Sequence, residues 1–307
     1  MILPEYRNQV NLLLQVLPFV AKEQNFALKG GTAINLFVRE MPRLSVDIDL
    51  TYLPVDVRHE ALSNIQNGLT RIKADIEKNI ENITVHPVSL YDGSDVKLHC
   101  QRNNAQVKIE VNTITRGHVY DTKVMQVVDR AQDEFDKFAA INVVSFAELY
   151  GGKICAAVDR QHPRDLFDVK LLLENEGLTN EIWLAFMIGL ISHYRPVNEL
   201  LFPRLKEQRS AFEKQFAGMT FIDFSYDDYE KVRADLLKKI HGRLDKNSVD
   251  FLLSFESGEP DWALCPVEKI KELPAVKWKL LNIKKLIDTN PDKQKLQLRN
   301  FREQLGV

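Results

Sequence analysis

Asp47 and Asp49 stand two residues apart in Ser45-Val46-Asp47-Ile48-Asp49-Leu50. Side chains two apart on a strand leave the same face. On a strand both carboxylates would therefore project together, with Val46, Ile48 and Leu50 turned to the core. Held so close, they repel each other unless a cation sits between them. Hard carboxylate oxygens favour Mg²⁺, which keeps several waters and binds substrate phosphates. Such a pair suits phosphoryl or nucleotidyl transfer, in which metal ions activate a hydroxyl and neutralise the leaving pyrophosphate. The competing reading of an Asp-x-Asp is an exposed strand end.

Other residues bear on the same chemistry. Val107-Lys108-Ile109-Glu110-Val111-Asn112 alternates like a strand, and Glu110 on its polar face is a candidate third metal carboxylate. Gly30-Gly31-Thr32 leads from a strand candidate into a helix. Paired glycines allow a tight turn and close approach of a ligand. The helix N-terminus behind them offers free N–H groups, so the turn could cradle phosphate. Thr32 could cap that helix or bond a phosphate oxygen. Ser145-Phe146-Ala147-Glu148 has the pattern of a capping box. In the helix it opens, Lys153 follows Gly151-Gly152, a thin spot that another backbone or a ligand could approach. A lysine there can reach a triphosphate as a mobile charge. Asp165 and Asp168 share a helix face. Asp165 reads as complementing the helix dipole. Asp168, among apolar neighbours, needs a cation, and Lys153 and Arg160 are the candidates. His162 reads as a loop residue without chemistry.

The elements that must carry these residues divide the chain in two. Helical periodicity marks residues 5–24, with Pro18 near the end, and 56–80. Strand patterns mark 26–29, 46–53, 83–90, 96–101 and 106–113, with a last one at 138–144. Turns at 91–94 and 102–104 make the middle three a meander. A short helix is expected over 32–39. From 145 onward the pattern is helical: 145–159, 163–176, 179–193, 199–217, 226–242, 246–255, 273–289 and 291–305. The fold class is therefore α+β, an α/β domain over 1–144 followed by an all-helical domain over 145–307.

The bulk numbers set limits. The 307 residues carry a net charge of −2, so there is no global footprint for nucleic acid. Residues 266–307, however, hold ten Lys/Arg against five Asp/Glu. That basic stretch behind an acidic body reads either as a polyanion surface or as a solvated helical face. Cys100, Cys155 and Cys265 are scattered and odd in number, which argues against a disulfide framework or a zinc-type CxxC pair. No signal-peptide pattern and no membrane-length apolar run is present, so a soluble, cytoplasmic protein is expected.

Taken in order, residues 28–32, 43–50, 108–111, 148–154 and 164–168 resemble the AbiEii/AbiGii toxin family of nucleotidyltransferases, related to the MenT toxins. The resemblance covers residues 25–175. It implies a DNA-polymerase-β-like nucleotidyltransferase core with a mixed sheet. It implies Mg²⁺ at Asp47 and Asp49, triphosphate contacts from Gly30, Gly31, Ser45 and Lys153, and essential roles for Lys153 and Asp168. It further implies a nucleoside triphosphate as co-substrate and an antitoxin encoded nearby. In some members the nucleotide goes to the 3′ end of tRNA, blocking translation, and some serve in phage defence. Gly151-Gly152 departs from the family pattern, which would leave the lysine helix either loose or unusually close-packed. Two alternatives stand beside this reading: a protein or small-molecule acceptor, and a catalytically silent nucleotide-binding regulator.

Overall fold

The computed structural model describes residues 2–89, 93, 95–265 and 267–307. The strands are β1 (Phe26–Lys29), β2 (Asp47–Tyr52), β3 (Ile83–Ser89), β4 (Asp95–Arg102), β5 (Ala105–Asn112), β6 (Lys123–Gln126) and β7 (Ala140–Val143). They form one mixed sheet in the order β3-β4-β5-β2-β1-β7-β6. β2 lies inside it, antiparallel to β1 and parallel to β5. The expected meander is β3-β4-β5. Its first turn, at 91–94, lies outside the described residues apart from Gly93.

The sheet is held from its apolar faces. Ile48 and Leu50 of β2, and Val107, Ile109 and Val111 of β5, are buried at every second position. That period of two is what fixes a strand's register against a core. The helices α1 (Pro4–Val20) and α3 (Arg58–Asn79) pack on the sheet and on each other. They bury Leu13, Leu17, Ile65, Leu69 and Ile72. Between β1 and β2, α2 (Gly30–Ala33) runs directly into a π-helical turn, Ile34–Val38. Such turns are rare and concentrate at functional sites. α4 (Asp129–Phe135) and β6 carry no clear sequence period and were not expected.

The chain divides into two compact units. The first is Met1–Leu149 with Glu213–Phe224, the second Tyr150–Phe212 with Ser225–Val307. In the first, the returning segment zips onto the residues just before β2. The Leu44 amide donates to the Met219 carbonyl (2.7 Å), the Phe221 amide to the Pro42 carbonyl (2.9 Å), and Arg43 pairs with Thr220.

The helices that follow the sheet are α5 (Phe146–Arg160), α6 (Pro163–Asn175), α7 (Asn180–Ser192), α8 (Val197–Leu201), α9 (Arg209–Gln215), α10 (Tyr226–Arg243), α11 (Lys246–Glu256), α12 (Pro274–Thr289) and α13 (Pro291–Leu305). α5 begins in the first unit and continues into the second. The single helix expected over 199–217 is not there. α8 ends at Leu201 and α9 starts at Arg209. Pro203 is the reason, because the residue before a proline is pushed out of the helical region. Phe202 adopts φ −122°, ψ 62°.

Gly151 settles how the lysine helix is packed. A Cβ there would lie 2.6 Å from backbone and side-chain atoms of Ala185 on α7. The two helices therefore meet backbone to backbone, and this part of α5 is close-packed. Gly152 faces open space. Among the described residues no helix is long and apolar enough to cross a membrane.

Candidate active site

The first group of site residues belongs to the sheet unit. Asp47 and Asp49 both lie on β2, partly exposed on one face, with Ile48 and Leu50 buried on the other. The strand pairings extend this face sideways. Lys29 on β1 is opposite Asp49, Asp49 is beside Glu110 on β5, and Glu110 is opposite Lys97 on β4. One row across four strands thus reads lysine, aspartate, glutamate, lysine. In the next row Asp47 lies beside Lys108.

Charge in these rows is unevenly matched. The Glu110 carboxylate accepts from Lys97 and Lys108, each at 2.8 Å. Burial alone would raise its pKa, but the two lysines hold it below the usual carboxylate range. Asp49 goes the other way. Burial pushes its carboxyl up, Asp47 pushes it further, and Lys29 and Lys108 only partly oppose this. The Lys29 ammonium is in turn pushed down by burial, against the pull of Asp49 and Glu110. Asp49 is therefore poorly compensated, chiefly because it is buried, while Glu110 is well compensated. Among the described residues no group of three or more His, Cys, Asp or Glu is arranged to hold a metal ion. The donor set is two carboxylates, which fits an ion that keeps much of its water and takes phosphate oxygens as further ligands.

The glycine turn is built around the same carboxylate. Gly30 adopts φ +74°, a left-handed conformation that glycine accepts without strain. A Cβ there would be 2.8 Å from Asp49 Oδ2. A Cβ on Gly31 would be 2.8 Å from Arg43 Nη2 and 3.0 Å from Ser45 Oγ. Both glycines thus make room for site groups. Thr32 is buried, and its hydroxyl donates to the Asp47 carbonyl and lies 3.0 Å from Ser45 Oγ. It neither caps α2 nor faces outward; it ties the helix start to the start of β2. Arg43 is 2% exposed and donates to the Leu44 carbonyl at 2.9 Å. No spacing in the sequence assigns a role to Lys29 or Arg43: strand pairing brings Lys29 to Asp49, and the fold of 42–45 brings Arg43 to the glycine turn.

The second group belongs to the helical unit. Lys153 of α5 donates to Asp165 (2.9 Å) and pairs with Asp168 (3.1 Å), both on α6. Arg160, at the end of α5, grips Asp165 through Nε at 2.5 Å and Nη2 at 2.9 Å. Lys153 is 6% exposed and both aspartates are fully buried. The expected pairing of Asp168 with Lys153 is present. The expectation for Asp165 is corrected: it does not serve the helix dipole at a surface but lies at the centre of a buried ion cluster. Helical spacing alone cannot show that α5 delivers two cations to it. Burial would raise the Asp165 carboxyl, yet Lys153 and Arg160 hold it well below the usual carboxylate range. His162 accepts from the Arg164 amide as the N-cap of α6. The Glu148 carboxylate accepts from the Ser145 hydroxyl and from the amides of Val119 and Tyr120. It therefore pins a loop of the first unit to the start of α5.

Known proteins share this architecture. The family model described as nucleotidyl transferase AbiEii toxin, type IV TA system, matches residues 11–281. Among solved structures, the nucleotidyltransferase toxin MenT4 from Mycobacterium tuberculosis H37Rv superposes with a TM-score of 0.61 at 14% identity, over 91% of this chain and 93% of its own. That likeness shows the fold. JHP933 from Helicobacter pylori gives a TM-score of 0.46 at 17% identity, over 81% of this chain and 97% of its own. No curated protein matches the sequence.

Two outcomes are expected of variants. An Asp with a raised native pKa binds its proton more tightly folded than unfolded, so its ionisation destabilises the native state as pH rises. Metal-free Asp49→Asn should melt above the wild type at pH 8, and the gap should close as pH falls below the ordinary Asp range. Thermal scans in a chelator against pH measure this; a gap that widens toward acid would refute it. Lys153→Met strands buried carboxylates and should cost about 3–5 kcal/mol. Asp168→Leu added to it should recover part of that loss in denaturant titrations.

Proposed function

The chain belongs to the AbiEii family of nucleotidyl transferase toxins, and we propose that it transfers a nucleotide from a nucleoside triphosphate to the 3′ hydroxyl of tRNA, blocking translation. The observation that carries this reading is the aspartate pair on β2. Two carboxylates share one face, and the Asp49 carboxyl is pushed up by burial and by Asp47, with too little positive charge nearby to offset them. Asp47 and Asp49 would hold a magnesium ion, which when bound supplies charge neutralisation and an activated acceptor hydroxyl. Glu110, the candidate third ligand, would have to release Lys97 or Lys108 to join them.

The chain's own groups do the rest of the work in this reading. Gly30 and Gly31 let the turn lie directly against Asp49 and Ser45, and the backbone amides that start α2 would meet phosphate oxygens beside the aspartates. Ser45 offers a hydroxyl beside that turn, and Thr32 holds Ser45 and the start of β2 in place. Lys153 supplies the positive charge for the triphosphate. Asp168 and Asp165 are positioning residues that fix the Lys153 ammonium, and Arg160 balances the second aspartate. The exposed Lys284, Lys285, Lys293 and Lys295 of the basic segment would add contacts to an RNA backbone. In this reading the protein works in the cytoplasm, with an antitoxin encoded beside it and phage defence as its setting.

The test is direct. Purified protein is incubated with total tRNA, Mg²⁺ and each labelled nucleoside triphosphate in turn, beside Asp47→Asn and Asp49→Ala. Label is expected on tRNA with the wild type, weakening as salt rises, and reduced by about 10²–10³-fold or more in either variant. Full activity in Asp47→Asn would overturn the scheme. Absence of label on tRNA with every nucleotide would remove the acceptor.

A further inference from the structure

The helical unit holds a cavity of about 510 Å³ between the C-terminal end of α5 and the coil after α8. Its wall includes Asp159, Gln161, Arg195, Phe202, Arg204 and Lys206. None of these belongs to the ion cluster around Lys153, and the proposed mechanism uses none of them. The volume is in the range of small-molecule and nucleotide sites.

The charges on the wall are not equivalent. Arg195 is spent inside the protein, on Asp159 (2.7 Å) and Glu199 (2.8 Å). Gln161 is spent on the coil, accepting from the Lys206 amide (2.9 Å) and donating to the Arg204 carbonyl (2.8 Å). These bonds hold residues 204–206 against the end of α5. Lys206 uses one donor on the Asp159 carbonyl (2.7 Å) and keeps the others. Arg204 is exposed, with a guanidinium open to an anion. Two cations are therefore offered at a rigid lip while Arg195, the other cation of the wall, is neutralised.

An aromatic step lies beside Asp159 of the wall, outside the cavity lining itself. His193 pairs with Asp159 at 3.5 Å, so its ring is anchored on the cavity wall. Tyr194 stacks on it, with ring centroids 4.6 Å apart and planes 27° from parallel. Burial pushes the His193 imidazole down, which favours the neutral ring at neutral pH. Tyr194 itself is 82% exposed, with one ring face on His193. Its other ring face is open, and a nucleobase could continue the stack. Cations that follow a backbone, beside an aromatic face that accepts any base, are the two parts of a single-strand nucleic-acid site.

We propose that this cavity binds a single-stranded RNA segment, with Arg204 and Lys206 on its phosphates and Tyr194 stacked on a base. The proposal rests on the reading that the acceptor is an RNA end, and it places part of that acceptor's binding in the helical unit. Arg160, whose guanidinium holds the partner of Lys153, follows Asp159 of the wall directly in the chain.

The experiment measures fluorescence anisotropy of a short labelled single-stranded RNA with the full chain, across a salt series. It compares wild type, Tyr194→Ala and the double variant Arg204→Glu/Lys206→Glu. All three altered residues are exposed, and binding of a fluorescent nucleoside triphosphate checks that the rest of the protein is intact. The double variant should weaken RNA binding at least tenfold and lower the salt slope by about 1.4, roughly 0.7 for each lost phosphate contact. Tyr194→Ala should weaken it by roughly tenfold with the slope unchanged. RNA affinity unchanged in both variants would overturn the proposal. So would RNA displaced by inorganic phosphate with Tyr194→Ala silent, which would make the cavity an anion site only. If the wild type labels tRNA while the variants bind RNA normally, the cavity assignment falls and the transferase reading stands. If the variants lose RNA binding but the wild type transfers no nucleotide, the cavity assignment stands and the transferase reading falls.

Discussion

Two carboxylates two residues apart on an inner strand cannot turn away from each other. β2 has β1 on one side and β5 on the other, and Ile48 and Leu50 commit its opposite face to the core. Asp47 and Asp49 are thereby fixed on a common face. The surroundings are arranged around this repulsion. Gly30 gives up a side chain so that Asp49 fits over the turn, and Thr32 ties the helix start to the Asp47 carbonyl. Segment 213–224 returns to brace residues 42–44 just ahead of the pair. Lys97 and Lys108 pair with Glu110, and Asp49 stays poorly compensated in its buried position.

The helical unit solves the opposite problem. In its ion cluster two cations meet two carboxylates, with Lys153 and the partly exposed Arg160 on one helix and the buried Asp165 and Asp168 on the next. Matching a buried ion pair seldom adds much net stability, but breaking one is costly. What the arrangement does supply is position. Close contact of α5 with α7 at Gly151 fixes the helix backbone two residues before Lys153. The lysine is therefore held by its own helix as well as by the two carboxylates it meets.

Much of this was legible in the sequence where the signal is local. The two-residue period showed β2 and the shared face of Asp47 and Asp49. Ser145 and Glu148 marked the start of α5 within a residue, and Pro163 the start of α6. The family resemblance, carried by ordered motifs, is upheld by the family match over residues 11–281. What was missed depends on pairings between distant segments. Lys29 faces Asp49 only because β1 runs antiparallel to β2, and no spacing in the sequence states that. Asp165 reads as a helix-dipole residue until α5 is laid beside α6. Gly151 could have admitted a ligand or a helix, and only the position of Ala185 decides. The long helix expected over 199–217 is broken for a local reason, because Pro203 forces Phe202 out of the helical region despite the apolar pattern. That break produces the coil that walls the cavity in the helical unit.

In the proposed reaction Asp47 and Asp49 together would hold a divalent cation. Titration of the full chain with Mn²⁺, followed by electron paramagnetic resonance of the free ion, tests it without any need for an acceptor. One saturable site is expected in the wild type, and it should be lost in Asp47→Asn and in Asp49→Asn. Binding of equal affinity in the wild type and both variants, or no saturable binding to the wild type, would contradict it.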